Sequence, residues 1–125
     1  MLKAKIHQAI VTEANLYYVG SITLDSHILK ELELYPNEKV TVVNINNGAR
    51  LDTYVIPGIA HSGVCCLNGA AARHFHPGDK IIVMSYCLVD KKEALLHRPK
   101  IAFMQDNNQI NKIEYNESEN TLYTG

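Results

Sequence analysis

A strong charge of either sign is missing from this sequence of 125 residues, which has a formal net charge of −1. A near-neutral balance gives no electrostatic reason to expect a nucleic-acid partner or an anionic membrane surface. No apolar run is long enough to span a bilayer. The polar start MLKAKIHQA lacks the apolar core of a signal peptide. We therefore expect a cytoplasmic protein without a nucleic-acid or membrane partner.

Cysteine is scarce, and Cys65, Cys66 and Cys87 have no paired spacing. Adjacent residues of a strand point to opposite faces, so Cys65 and Cys66 suit neither a shared zinc site nor a disulfide framework. His74 and His76 would share one face of an extended segment, but the sequence offers no third ligand beside them. We predict buried free thiols, surface histidines and no metal.

Short β-branched segments separated by turn residues make up most of the chain. At this length they indicate one domain, residues 1–125, built as a small closed β structure. The pattern predicts strands near residues 2–12, 16–24, 40–45, 51–56, 64–67, 81–86 and 100–104, and short helices near residues 27–34, 69–74 and 90–97. Asp25 or Ser26 would cap the first helix, and Asn47-Gly48 predicts a hairpin. From Gln105 the polar composition predicts a loosely held tail, residues 105–125.

The dipeptide Gly20-Ser21 has the largest chemical consequence in the chain. If the fold strains this bond, the Ser21 hydroxyl can attack the Gly20 carbonyl carbon, which glycine leaves open because it has no Cβ. The resulting ester can eliminate and hydrolyse to a pyruvoyl group, a ketone that can act as an electron sink. Taken alone, however, the dipeptide is typical of a plain turn.

Three blocks of the sequence together resemble the pyruvoyl-dependent aspartate 1-decarboxylase family: KIHQAIVTEANLYYVGSITLD, NNGARLDTYVIPG and CLNGAAARHFHPGDKIIVMSY. They occur in the order and approximate spacing of that family, and the resemblance runs from Met1 to Met104. It implies a small six-stranded double-psi β-barrel with short helices. It further implies a homotetramer with active sites between subunits, and self-cleavage into a β chain of residues 1–20 and an α chain of residues 21–125.

The same resemblance implies roles for residues near the cleavage point. Ser21 would become the pyruvoyl group that forms a Schiff base with the substrate, and Gly20 and Tyr18 would support cleavage. Tyr54 would donate the proton and Thr53 would contact the substrate. On the residues alone, Tyr54 and Thr53 would be a core tyrosine and a surface threonine.

The remaining implied site residues bind the substrate or support the reacting serine. They are Gly69, Ala70 and Ala71 in the third block, with Asn68 near the processed serine, and Arg50 and Lys5 as cations for the substrate carboxylates, with His7 close by. On the residues alone, Gly69, Ala70 and Ala71 would form a tight strand-to-helix turn. Arg50, Lys5 and His7 would be solvated basic side chains.

These features predict an enzyme that converts L-aspartate to β-alanine and CO₂ and so supplies pantothenate and coenzyme A. Two alternatives stay open on sequence: a pyruvoyl decarboxylase for another small acidic amino acid, and a non-catalytic double-psi β-barrel module that binds a partner with Ser21 uncleaved. Spontaneous cleavage and cleavage assisted by a maturation helper protein are both compatible with the sequence.

Overall fold

A computed structural model describes residues 1–123 of the chain. Its strands are β1 (Leu2–Ile10), β2 (Glu13–Asn15), β3 (Ser21–Asp25), β4 (Lys39–Asn44), β5 (Arg50–Gly58), β6 (Cys65–Asn68), β7 (Lys80–Tyr86), β8 (Lys100–Met104) and β9 (Ile110–Glu114). One α-helix, α1 (Ser26–Glu31), and two 3₁₀ helices, Gly69–Arg73 and Lys91–Glu93, complete the secondary structure of these residues.

The strands form one nine-stranded sheet in the order β2-β6-β3-β5-β4-β7-β1-β8-β9. Most neighbours are antiparallel, but β1 with β8, β2 with β6 and β3 with β5 are parallel. The prediction of a mainly β, small barrel-like fold with short helices is confirmed. The predicted hairpin is also confirmed, since β4 and β5 pair antiparallel on either side of Asn47-Gly48.

The hydrophobic core lies between the strands and α1, and it is built from the alternating inward side chains that β-strands provide. Its largest fully buried members include Phe75, Ile6, Ile22, Leu24, Leu67 and Ile81. Ile28 and Leu29 of α1 are buried against the same cluster. Among the helices of the described residues, none is long and apolar enough to cross a membrane.

Three predicted elements need correction. The strand predicted over residues 16–24 begins only at Ser21, because residues 16–20 form an exposed turn. The helix predicted over residues 90–97 is reduced to one 3₁₀ turn, Lys91–Glu93. The tail predicted to be loosely held from Gln105 contains β9, an edge strand that pairs antiparallel with β8 along one side despite its polar sequence. Residues 124–125 of that tail lie outside the described residues.

Asp25 joins the end of β3 to α1 and to the loop after β5. As predicted, it is the N-cap of α1, where its Oδ1 accepts from the His27 backbone N–H at 2.9 Å. The same carboxylate accepts from the backbone N–H groups of His61, at 2.9 Å, and Gly63, at 3.0 Å. Burial acts to raise the pKa of Asp25, but these backbone donors outweigh it, and the net pKa is lowered.

We expect Asp25→Asn to destabilise the fold by about 1–3 kcal/mol, because an amide replaces a carboxylate that accepts three buried or half-buried N–H groups. Asp106→Asn, at an exposed turn position, is the matched control. Since the folded-state pKa of Asp25 is lowered, its contribution is complete above the ordinary aspartate range and is lost as the pH falls through the folded value. Urea unfolding at neutral and acid pH measures both effects; equal stability of the two variants at neutral pH would contradict this role.

Candidate active site

A cavity of about 540 Å³ opens where the exposed turn before β3 meets β5, β6 and the first 3₁₀ helix. Most of the residues predicted for the site line this cavity: Gly20, Ser21, Thr53, Tyr54, Asn68, Ala70 and Ala71. The fold therefore gathers three blocks that are far apart in the sequence around one concave surface, as a small-molecule site requires.

Ser21 is the first residue of β3 and is completely buried, whereas Val19, two residues before it, is 80% exposed. The antiparallel register pairs Ser21 with Asn68 of β6. Asn68 Nδ2 donates to Ser21 Oγ at 2.9 Å, and Ser21 Oγ donates to the Val19 carbonyl oxygen at 3.4 Å. A shielded, oriented hydroxyl thus follows directly on an exposed loop.

Thr53 and Tyr54 reach the cavity from β5, which runs parallel to β3. The register pairs Ile22 with Val55, so Ser21 and Tyr54 each lie one residue before this pair. Both Thr53 and Tyr54 are half-buried. The parallel pairing therefore sets a phenol and a hydroxyl beside the cavity that Ser21 lines.

Gly69 allows the first 3₁₀ helix to start directly against the loop that precedes Ser21. Its φ is +68°, and a Cβ at this position would lie 2.8 Å from Gly20 Cα and 3.1 Å from the Tyr18 carbonyl oxygen. Any larger residue would push the backbone of this loop. Asn68 is the N-cap residue of that helix, but its side chain makes no capping hydrogen bond. The side chain donates to Ser21 Oγ instead.

The structure adds three residues to the lining that the sequence did not assign to a site: Leu51, Asp52 and His74. Asp52 accepts from Thr41 Oγ1 at 2.7 Å and lies two residues before Tyr54, so strand alternation was an available signal. His74 is exposed, as predicted, but it lines the cavity at the end of the 3₁₀ helix. That position depends on tertiary packing.

Lys5 and His7 lie elsewhere, in a separate cavity of about 110 Å³ that Glu117 and Tyr123 also line. Lys5 Nζ donates to Glu117 Oε1 at 3.1 Å. Among the described residues, His7 Nδ1 is buried without a hydrogen-bond partner. Burial lowers the pKa of His7, the Lys5 charge lowers it further, and Glu117 acts in the opposite direction.

Arg50 and Tyr18 line neither of these two cavities as the described residues form them. Arg50 is exposed at the start of β5, opposite Val43. Tyr18 is 54% exposed on the turn before Ser21. The predicted site residues consequently fall into a group around Ser21, a group around Lys5, and two exposed side chains.

The cysteines and histidines form no metal centre within residues 1–123, where no three His, Cys, Asp or Glu side chains are grouped to hold an ion. Cys65 and Cys66 are buried, as predicted, while Cys87 is only half-buried. Burial raises the pKa of the Cys65 thiol to about 12 and that of Cys66 to about 11, so both stay protonated at neutral pH.

Comparison with known proteins gives a consistent result. The profile of the aspartate decarboxylase family matches residues 1–111. A Listeria innocua protein named aspartate 1-decarboxylase is 58% identical over 113 residues, which cover 90% of this chain and 89% of that protein. A Geobacillus protein of the same name is 56% identical over 122 residues, covering 98% of this chain and 96% of that protein.

We expect Gly69→Ala to destabilise the protein and to shift the backbone of residues 18–20, because the new Cβ would meet that backbone at 2.8–3.1 Å. Gly48→Ala is the matched control, since its φ is +76° but nothing lies within 4 Å of the point that its Cβ would occupy. Each variant carries a positive-φ cost of about 1 kcal/mol. Thermal unfolding measures how much more stability Gly69→Ala loses than Gly48→Ala, and the amide chemical shifts of Val19 and Gly20 report the backbone shift. The same stability loss in both variants would contradict the close packing of Gly69 against residues 18–20.

Proposed function

This chain belongs to the aspartate decarboxylase family, and on that premise we propose that it converts L-aspartate to β-alanine and CO₂ with a pyruvoyl group made from its own Ser21. The observation that carries the proposal is the position of Ser21. A completely buried hydroxyl, held by Asn68, lines the cavity that also receives Thr53 and Tyr54. The family assignment favours this enzyme over a non-catalytic binding module.

The residues around Gly20–Ser21 fit the formation of such a group. A Cβ on Gly20 would meet nothing nearer than the Asn68 carbonyl oxygen at 3.9 Å, so the space beside the Gly20 Cα is open. Attack by Ser21 Oγ on the Gly20 carbonyl carbon breaks the C–N bond, and the hydroxyl proton passes to the nitrogen. Loss of the α-hydrogen of residue 21 and cleavage of its Cβ–Oγ bond then release Gly20 as a carboxylate. Water finally replaces the nitrogen, which leaves as ammonia.

The pyruvoyl ketone would supply the electron sink that decarboxylation needs. The other requirements fall on this chain's side chains. Tyr54 is a suitable acid, because its phenol O–H can donate a proton to the carbon that has lost CO₂. Thr53, on the same strand as Tyr54, would contact the substrate. Ala70 and Ala71 line the cavity with small side chains, which suits a small amino acid as substrate.

The substrate carboxylates need cations that the cavity around Ser21 lacks in a single copy of the described chain. Its lining contains neither lysine nor arginine, and His74 faces it together with the acidic Asp52. We therefore propose that Lys5, His7 and Arg50 reach this cavity from a neighbouring subunit of a homotetramer. Lys5 would then exchange Glu117 for a substrate carboxylate.

The wider setting follows from the same assignment. The product would supply pantothenate and coenzyme A synthesis in the cytoplasm. A preference for another small acidic amino acid, such as glutamate, is the competing possibility, and competition between aspartate and glutamate for turnover separates the two. Cleavage with a helper protein and cleavage without one both agree with this proposal.

Ser21→Ala should leave the chain intact and abolish decarboxylation, because no hydroxyl remains to attack Gly20. Intact-mass analysis should show the wild-type protein as fragments 1–20 and 21–125, the larger one lighter by one ammonia than a fragment starting with serine. Ser26→Ala, at the start of α1, is the control and should be cut normally. Decarboxylation by Ser21→Ala, or wild-type protein that turns over while remaining uncut, would refute the assignment.

Subunit complementation tests the shared site. Tyr54→Phe should lower kcat by about 10²–10⁴-fold while cleavage still proceeds, because it removes only the acid. Lys5→Ala should also be impaired. Co-production of the two chains should restore activity, since some sites then combine Lys5 of one chain with Tyr54 of another.

The control for complementation is co-production of Lys5→Ala with a chain that carries both substitutions, which should restore nothing. If each site lies within a single chain, the mixture of the two single variants will show only the average of the separate activities. That result would overturn the shared site without affecting the role of Ser21.

A further inference from the structure

A buried thiol lies at the far end of the hydrogen-bond chain that reaches Ser21. Cys66 Sγ donates to Asn68 Oδ1 at 3.0 Å. Asn68 Nδ2 in turn donates to Ser21 Oγ at 2.9 Å and to Thr23 Oγ1 at 3.1 Å. The register of β3 and β6 produces this arrangement, because it pairs Ser21 with Asn68 and Thr23 with Cys66. Side chains two residues apart on a strand share a face, so all four lie together.

We propose that Cys66 is a positioning residue for self-cleavage: its thiol holds the Asn68 amide with Nδ2 directed at Ser21 Oγ. The inference rests on the proposed function, in which Ser21 is the residue that attacks and is converted. It concerns a residue that neither contacts the cavity nor touches the reacting atoms.

A specific interaction must fix the orientation of the Asn68 amide, because the amide fits the same space when Oδ1 and Nδ2 exchange positions. In the reversed orientation Oδ1 would face the two hydroxyls, which could donate to it, and nothing would donate to Ser21 Oγ from this side. The two orientations differ at the other end of the amide. There a thiol can donate to Oδ1, whereas its sulfur is a weak acceptor for Nδ2.

Two further observations support a donating thiol. Asn68 is at the N-cap position of the 3₁₀ helix but makes no capping hydrogen bond, so the helix does not fix its amide. Cys66 is nearly completely buried. Burial, and secondarily the negative charge of Glu13, raises the pKa of Cys66 to about 11, so the S–H is retained at neutral pH.

The direction of the Asn68 hydrogen bond matters for the chemistry of Ser21 Oγ. When Oγ attacks Gly20, its own proton must leave for the nitrogen. A hydrogen bond that Oγ accepts from Asn68 does not engage that proton, which is donated to the Val19 carbonyl oxygen at a long 3.4 Å. In the later elimination, the α-hydrogen of residue 21 passes to water and the Cβ–Oγ electron pair moves onto Oγ. An N–H on Oγ stabilises that developing carboxylate oxygen.

Three cysteine variants test the proposal, with the time course of fragment 21–125 by intact-mass analysis as the readout. Cys66→Ala should slow cleavage by about three- to tenfold, the effect expected for one lost hydrogen bond. Cys66→Ser keeps a donor and should restore the wild-type rate. Cys65→Ala is the matched control, because it removes an adjacent buried thiol on the other face of β6 and should not alter the rate.

A merely structural role would give a different pattern: Cys66→Ala and Cys65→Ala would slow cleavage equally, in step with their thermal stabilities. A wild-type rate in Cys66→Ala, or no rescue by Cys66→Ser, would also overturn the proposal. If wild-type protein were not cut at all, the proposed function would fail on that ground alone.

The amide orientation is measured separately in the uncleavable Ser21→Ala background. Nuclear Overhauser contacts from the Asn68 side-chain N–H hydrogens to Thr23 should be present there, since Asn68 Nδ2 also donates to Thr23 Oγ1. Addition of Cys66→Ala should weaken them, and addition of Cys66→Ser should not. Contacts that are missing in the background variant, or unchanged by Cys66→Ala, would contradict the proposal whatever the cleavage rates.

Discussion

The hydrogen bond from Asn68 Nδ2 to Ser21 Oγ is the contact on which the candidate site depends. It exists because β3 and β6 pair in a register that sets these residues opposite each other. At Gly69, whose φ is +68°, the chain turns away from β6. The backbone packs so closely there that a Cβ on Gly69 would lie 2.8 Å from Gly20 Cα. The backbone before Ser21 is therefore supported from one side and exposed on the other. The Ser21 hydroxyl is thereby buried and held by Asn68.

The strand pairing of the sheet would hold the two fragments together after cleavage at Gly20–Ser21. The segment before the cut carries β1 and β2, and these strands pair with β7, β8 and β6. The segment after the cut begins with β3, which lies between β5 and β6. Each fragment is thus held by strands of the other. The exposed turn of residues 16–20 makes no ladder hydrogen bonds that cleavage would remove.

Local patterns predict much of this fold, because the deciding interactions are local. The Asp25 cap and the Asn47-Gly48 hairpin follow from side chains close in sequence. The strand β9 escapes prediction because its polar residues show little alternation and its partner β8 supplies its stability. The sequence indicates only a surface histidine at His74, since its place beside the cavity is set by packing of distant segments.

The resemblance supplies the proposed residues of the site, and the sequence predicts their geometry only in part. The resemblance implies roles for Ser21, Tyr54 and Asn68, and the fold brings these three residues to one cavity. The resemblance also implies roles for Lys5 and Arg50, which do not line that cavity in a single copy of the described chain. For Cys66 the sequence predicts only a buried thiol. Its bond to Asn68 depends on the rotamers of both side chains, which sequence spacing does not determine.

Carbonyl reduction tests the central claim, conversion of Ser21 to a ketone, most directly. Mature protein would be treated with borohydride, and the mass of fragment 21–125 and the residual activity would be measured together. The account predicts that this fragment gains the mass of molecular hydrogen at its first residue and that activity is lost in proportion. Protein that turns over aspartate while its mass and activity are unchanged by borohydride would contradict the account.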